Sequence, residues 1–440
     1  MAMKKLFYIV CVATITFSSG QSKPIGRYEG ALSRDGSIQL VSFNFSDEGL
    51  QATYEIPECG LYDVPVRDYT FQNDTLSIRF FYGDFFLFLD DTGNELTGIS
   101  ERWKPKLRIH LKKAEDIDPT FSIEQIQFPS GKISLSGMLY HPDSELTQPL
   151  KYVVLVHGSG YQDRYSPYYI SLGHQLASRG IGVLLYDKRG TGTSGGARDM
   201  DVATFDDLAQ DANAALAYLK NRNDLKFSKI GLLGTSQGGW ISTKAASQSN
   251  LAEFLIFNVG PSVSLFDQDM HRIKYTMMAD DWAHKAIDAA LSYSESYFRY
   301  AKTQKRRDWD QLIIETKRIT NANWTDYVHI PTKPEDMNWW IINAYDPSQD
   351  LASLKIPVLS LLGGIDPLVP PEENEGKMRR YLSDAGVPFQ IKIIPNTGHD
   401  MKTYHGLNGN NWNWPKVYWQ WRMQPAEYIE SIADFIKVLR

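Results

Sequence analysis

Three residues, each in a glycine-marked turn, have the types that acyl-transfer chemistry requires. Ser236 stands in Gly234-Thr235-Ser236-Gln237-Gly238-Gly239, directly after the apolar run Ile230 to Leu233 and directly before a helical pattern. A strand-to-helix turn in that context lifts a serine hydroxyl clear of its surroundings, and glycines two before and two after it let neighbouring backbone approach. A serine hydroxyl is a weak nucleophile near neutral pH, so it needs a base, and the base needs a group that fixes its tautomer. His399, in Thr397-Gly398-His399-Asp400, follows the apolar run ending at Ile394. Asp366, in Gly363-Gly364-Ile365-Asp366-Pro367, follows the run Val358 to Leu362. Both stand at carboxyl ends of strand-like runs, where sites of open α/β sheets gather. Ser236, Asp366 and His399 are therefore the candidate catalytic residues. His405 and Asp400 are less well placed, and Asp346 and Asp350 follow no strand-like run.

Developing negative charge at the attacked carbonyl needs preorganised N–H donors. The N–H of Gln237, at the start of the helix, is one candidate. The other is Ser159, in the tight turn His157-Gly158-Ser159-Gly160 after Tyr152 to Val156, with Gly160 as the fallback. His157 precedes that turn and reads as structural. The glycine-rich stretch 187 to 196 (DKRGTGTSGG) lacks the Gly-Lys-Ser/Thr ending of a phosphate loop and reads as a rigid loop tied down by Arg189. Gly231, Gly234 and Gly238 depart from dinucleotide spacing, so no cofactor is expected, and no metal-ligand spacing appears.

The elements that must position these residues are legible as a change of rhythm. From about 25 to 113 the pattern is short and alternating between turn signals, which predicts a small all-β barrel or sandwich. A charged linker, Ala114 to Pro119, follows, then an opening hairpin flanking Pro129-Ser130-Gly131. Short, nearly continuous apolar runs then alternate with helical segments such as Phe205 to Lys220 and Gln237 to Ser247, as in a doubly wound, mostly parallel α/β sheet over 121–440. The interval between Asn258 and Val358 is too long for a crossover and predicts an inserted helical cap at about 262–350. Trp339, Trp340, Trp412, Trp414, Trp419 and Trp421 read as core or lid packing.

Composition agrees with a globular chain of 440 residues, at 42% hydrophobic and 22% charged. With 46 basic and 52 acidic residues the net charge is −6 and no basic face is apparent, so nucleic acid is not an expected partner. Lys305-Arg306-Arg307 reads as a solvated helix face. Residues 1–20 predict a signal peptide: Lys4 and Lys5, an apolar stretch from Leu6 to Phe17, then Ser18-Ser19-Gly20. Export to the periplasm or outside the cell follows, with no membrane span in the mature protein. Of two cysteines, Cys11 lies in that signal and Cys59 would remain as a single thiol. Oligomeric state is not legible.

Taken together, HGSG at 157 to 160, DKRGTGTSGG, GTSQGG, GGIDPLVP and NTGH resemble the α/β-hydrolase superfamily. They are most similar to exported bacterial esterases with serine aminopeptidase-like or dienelactone hydrolase-like catalytic domains. The order Ser236, Asp366, His399 matches the triad order of that superfamily. The resemblance spans roughly Phe121 to Arg440. It implies acyl transfer to water: Ser236 attacks, His399 moves the proton, and water releases the acyl-enzyme. A serine where dienelactone hydrolases carry cysteine argues against their substrate. Exported members often carry an extra β domain, as 25–113 looks to be. The expected activity is hydrolysis of small or short-chain carboxylic esters; a serine peptidase of aminopeptidase or prolyl type and a non-enzymatic ligand-binding protein are the alternatives.

Overall fold

The computed structural model describes residues 23–403 and 423–440, apart from 35, 47–50, 73–74, 81–82, 144–149 and 198–202. The expected signal peptide, Cys11, His405 and four of the six tryptophans singled out above (412, 414, 419 and 421) lie outside the described residues.

Nine antiparallel strands form the first sheet: β1 (Gly26–Arg34), β2 (Ser37–Phe45), β3 (Ala52–Ile56), β4 (Leu61–Pro65), β5 (Arg67–Gln72), β6 (Thr75–Phe80), β7 (Gly83–Leu89), β8 (Glu95–Ser100) and β9 (Leu107–Lys113). Their order is β4-β3-β2-β1-β9-β8-β7-β6-β5, so first and last strands pair and the sheet's edges are β4 and β5. Those edges are joined by Val66 alone. A sheet whose opposite edges are one residue apart must curl, because a trans-linked chain advances only about 3.8 Å per residue. The result is a nearly closed barrel, which settles the choice between barrel and sandwich. Alternation sends Tyr28, Phe43, Phe45, Phe80 and Phe85 inward to full burial. There the rings pack edge to face, as Phe43 and Phe80 do at 5.2 Å and 81°.

The second sheet contains β10 (Phe121–Ser130), β11 (Ile133–Pro142), β12 (Leu150–Val156), β13 (Ile181–Tyr186), β14 (Phe227–Thr235), β15 (Leu255–Asn258), β16 (Val358–Gly363) and β17 (Phe389–Ile394). Its order is β10-β11-β13-β12-β14-β15-β16-β17. The β10–β11 hairpin and the β11–β13 pair are antiparallel, and every later pair is parallel. Successive residues of β12 serve opposite faces. Val153 and Leu155 join α1 (Pro167–Ala177) and α10 (Ala426–Val438), while Tyr152, Val154 and Val156 join α2 (Phe205–Lys220), α3 (Gln237–Gln248) and α9 (Pro371–Ala385). Burial on both faces explains why these strands read as continuous apolar runs. The chain leaves β12 for β13 on one side and then returns to place β14 on the other. The order therefore reverses at β12, and a crevice opens between the carboxyl ends of β12 and β14.

Between β15 and β16 lie α4 (Leu265–Ala279), α5 (His284–Thr303), α6 (Arg306–Ile319), α7 (Asn338–Ile342) and α8 (Ser348–Ser353). The helices α4 to α6 bury a core of their own, including Phe266, Ile273, Tyr297 and Phe298. Trp340 packs on Phe298 at 5.0 Å, and Trp339 meets Phe205 of α2 at 6.2 Å. These two tryptophans are packing residues, as expected. Arg306 and Arg307 are exposed at the start of α6. No helix among the described residues is long and apolar enough to cross a membrane.

Candidate active site

Ser236 links β14 to α3 with φ 53° and ψ −122°, a backbone state that a side-chain-bearing residue adopts only when its surroundings enforce it. They do so through glycine. A β-carbon at Gly234 would collide with Gly238 O, and one at Gly238 would collide with Val156 O. Strand β12, the Ser236 turn and the start of α3 can close up only with both positions bare. The turn is held by Ser236 N donating to Asn258 O at 2.9 Å and Gly239 N donating to Ser236 O at 2.8 Å.

The loops after β16 and β17 are tied to each other. Gly364 N donates to Ile394 O at 2.9 Å and Ile365 N to Thr397 O at 3.0 Å. A β-carbon at Gly363 would lie 2.6 Å from Gly398 O, which is why two glycines precede Asp366. Asp366 is 2% exposed. Its Oδ1 accepts from Leu368 N at 2.8 Å and Val369 N at 3.0 Å, leaving Oδ2 for His399 Nδ1 at 2.7 Å. Burial pushes the His399 pKa down, but the charge and hydrogen bond of Asp366, with a smaller contribution from Asp400, outweigh it. The imidazole is therefore held above its ordinary value.

Ser236 and His399 line one cavity of about 490 Å³, together with Gly158, Ser159, Tyr168 and Asp400. No hydrogen bond joins the Ser236 hydroxyl to the imidazole among the described residues; in unliganded sites such bonds are often long and tighten with substrate. Asp366 stands behind His399. Asp400 shares the cavity but does not hold the His399 Nδ1. Asp346 and Asp350 are engaged in the cap's own turn, by Ser348 N and the Tyr345 hydroxyl. Of the expected N–H donors, Ser159 lines the cavity and Gln237 opens α3. Neither amide meets a protein acceptor among the described residues. Gly160, at φ 80°, turns its carbonyl toward Lys188.

His157 is structural. It is buried against Tyr169 and Tyr186, and burial drives its pKa down to about 3. Arg189 anchors the glycine-rich loop to α2, where it meets both oxygens of buried Asp211 at 2.7 and 2.8 Å.

Several participants leave no local signal. Tyr169 OH accepts from Gly158 N at 2.7 Å and so orients the turn after β12. Tyr168, whose hydroxyl bonds Asn258 and Tyr428, forms a cavity wall. The cap contributes Thr276 and Asp280 to the same cavity. Asp280 accepts from Tyr327 OH at 2.6 Å. Lys188 is 3% exposed beneath the β12 turn. At the junction of the two sheets, Glu55, Asp63 and His174 bring ligand-type atoms within 4.8 Å of one another. There His174 Nδ1 already meets Asp63 at 2.5 Å and Arg27 engages Glu55 at 3.3 Å, so each of the three groups has a protein partner.

Residues 147–403, more than half of the chain, match the family described as "Serine aminopeptidase, S33". A curated relative, the quorum-quenching protein AidA of Acinetobacter baumannii, is 27% identical over 128 residues, which is 29% of this chain and 40% of that protein. Among solved structures, the Pyrococcus furiosus esterase Pf2001 is similar over 74% of this chain and 96% of its own, with 16% identity and a TM-score of 0.43. Ferulic acid-bound Est1E of Butyrivibrio proteoclasticus is similar over 71% and 98%, with 15% identity and a TM-score of 0.44.

Proposed function

This chain belongs to the serine aminopeptidase (S33) family of α/β-hydrolases, and we propose that it cleaves carboxylic esters of small or short-chain acyl groups, with Ser236, His399 and Asp366 as its catalytic triad. The observation that carries the reading is the 2.7 Å Asp366–His399 pair beside the cavity that Ser236 lines.

Asp366 Oδ2 accepts a hydrogen bond from the Nδ1 proton, keeps it on that nitrogen and so leaves Nε2 as the acceptor. His399 Nε2 removes the Ser236 proton as the hydroxyl oxygen attacks the ester carbonyl. The amides of Ser159 and Gln237 receive the negative charge on the carbonyl oxygen. The same imidazole, now protonated, passes its proton to the departing alcohol, and an acyl-enzyme remains. Water repeats the sequence and frees Ser236. A cavity of about 490 Å³ suits a small ligand.

A second reading, an aminopeptidase, is favoured by one observation: Asp280 of the cap and Asp400 place two carboxylates on the cavity wall, where a substrate ammonium would be welcome. Turnover of p-nitrophenyl acetate and butyrate compared with aminoacyl and prolyl anilides tests the two. Higher kcat/KM on the esters is expected; higher values on the anilides would replace esterase with peptidase. Export is also proposed, on the strength of residues 1–20, and a mature amino terminus near Gln21 on protein recovered outside the cytoplasm is the expected result.

A further inference from the structure

We propose that Lys188 is a positioning residue of the oxyanion site: its buried ammonium holds together, and polarises, the two segments whose N–H groups receive the developing charge. The inference rests on the function proposed above. Lys188 follows β13 by two residues and runs beneath the turn after β12. Its Nζ donates to Gly158 O at 2.9 Å, to Gln237 Oε1 at 3.0 Å and, more weakly, to Gly160 O at 3.4 Å. The carbonyl of Gly158 and the N–H of Ser159 belong to one peptide unit. A cation on that carbonyl draws electron density from the amide, strengthens its N–H as a donor and fixes its direction. The Gln237 side chain is anchored by the same ammonium while its main-chain N–H opens α3. One side chain thus bridges both halves of the site.

The partners are all neutral oxygens, so the positive charge stays uncompensated by its three contacts. Three acceptors match the three protons of an ammonium and exceed what the neutral amine can donate. Burial opposes the charge and pulls the Lys188 pKa down to about 7. For packing alone a methionine of similar length would serve without that opposition. A charge kept beneath the amides instead acts when an oxyanion forms above them.

Lys188→Met and Lys188→Gln are compared with the wild type for kcat and KM on a p-nitrophenyl ester, and for inhibition by an aryl boronic acid that mimics the tetrahedral adduct. The expected result is a kcat lowered about a hundredfold in Lys188→Met, KM little changed, and weaker boronate inhibition in proportion to kcat. Lys188→Gln retains a donor for Gly158 O without the charge, and serves if the methionine variant does not fold. Its expected kcat loss is about tenfold or more, again at constant KM. A kcat within about threefold of wild type in a folded variant, or boronate inhibition unchanged while kcat falls, would overturn the proposal. Wild-type protein whose Ser236 does not react with a fluorophosphonate would sink the proposed function itself, which is a separate outcome.

Discussion

Replacing Asp366 by asparagine changes one atom and reverses the polarity of the hydrogen bond on which the base depends. In the wild type, Oδ1 accepts two main-chain N–H bonds, from Leu368 and Val369, and Oδ2 accepts from His399 Nδ1. An asparagine must keep its oxygen on the two amides, because its NH2 cannot accept there. The NH2 then faces His399 Nδ1 and forces that nitrogen to accept. The imidazole proton moves to Nε2, the atom that should receive the Ser236 proton. A wrong tautomer of this kind lowers kcat by about 10⁴ in the serine protease triad, or about 5.5 kcal/mol of barrier. A loss of roughly 10³ to 10⁴ is expected here. The pH profile supplies a second readout. In the proposed mechanism catalysis needs neutral His399, so the acid limb follows the imidazole pKa, which Asp366 raises above the ordinary value. The wild-type limb therefore lies above an ordinary histidine's, and in Asp366→Asn it moves to lower pH. Initial rates of p-nitrophenyl butyrate hydrolysis across pH, with melting curves to establish folding, measure both. A folded variant with turnover within about tenfold of wild type, or with an unmoved acid limb, would show that Asp366 does not set the His399 tautomer.

Ser236→Ala and Ser236→Gly should both lose about a thousandfold or more of kcat. Their stabilities should differ in the unusual direction: at φ 53° and ψ −122° the glycine variant relieves strain that alanine keeps. Urea denaturation should show it more stable by about 1 kcal/mol, and a more stable alanine variant would contradict the strain. Arg189→Ala removes the cation from the Asp211 carboxylate, whose side chain is 1% exposed and would keep only the Ser130 hydroxyl, and should destabilise the fold by about 3–5 kcal/mol in the same assay. A loss below about 1 kcal/mol would mean that solvent or another group takes over from Arg189.

What could be read from the sequence was what is encoded locally. The turns that bring Ser236 and Asp366 to one end of the sheet were legible because each follows an apolar run and holds glycines where a β-carbon would collide, and His399 because it follows the last apolar run. The cap was legible as a gap too long for a crossover. By contrast, alternation predicts a sheet but not its closure; the barrel follows from β1 pairing with β9 and from Val66 alone joining the edges. Lys188, Tyr168, Tyr169, Asn258 and Asp280 gain their places through contacts between distant segments. Lys188 stands at a strand's carboxyl end, a position that marks it as near the site without revealing that its charge lies buried against Gly158 and Gln237. The Glu55–Asp63–His174 cluster likewise exists only because the barrel and α1 are packed together.

Whether Ser236 is the nucleophile is tested by mapping the site of reaction of the folded protein with a fluorophosphonate. A single covalent adduct on Ser236 is expected, formed in step with loss of esterase activity and much more slowly in the His399→Ala variant. Activity that survives full modification of Ser236, or an adduct on another residue that abolishes turnover, would contradict it.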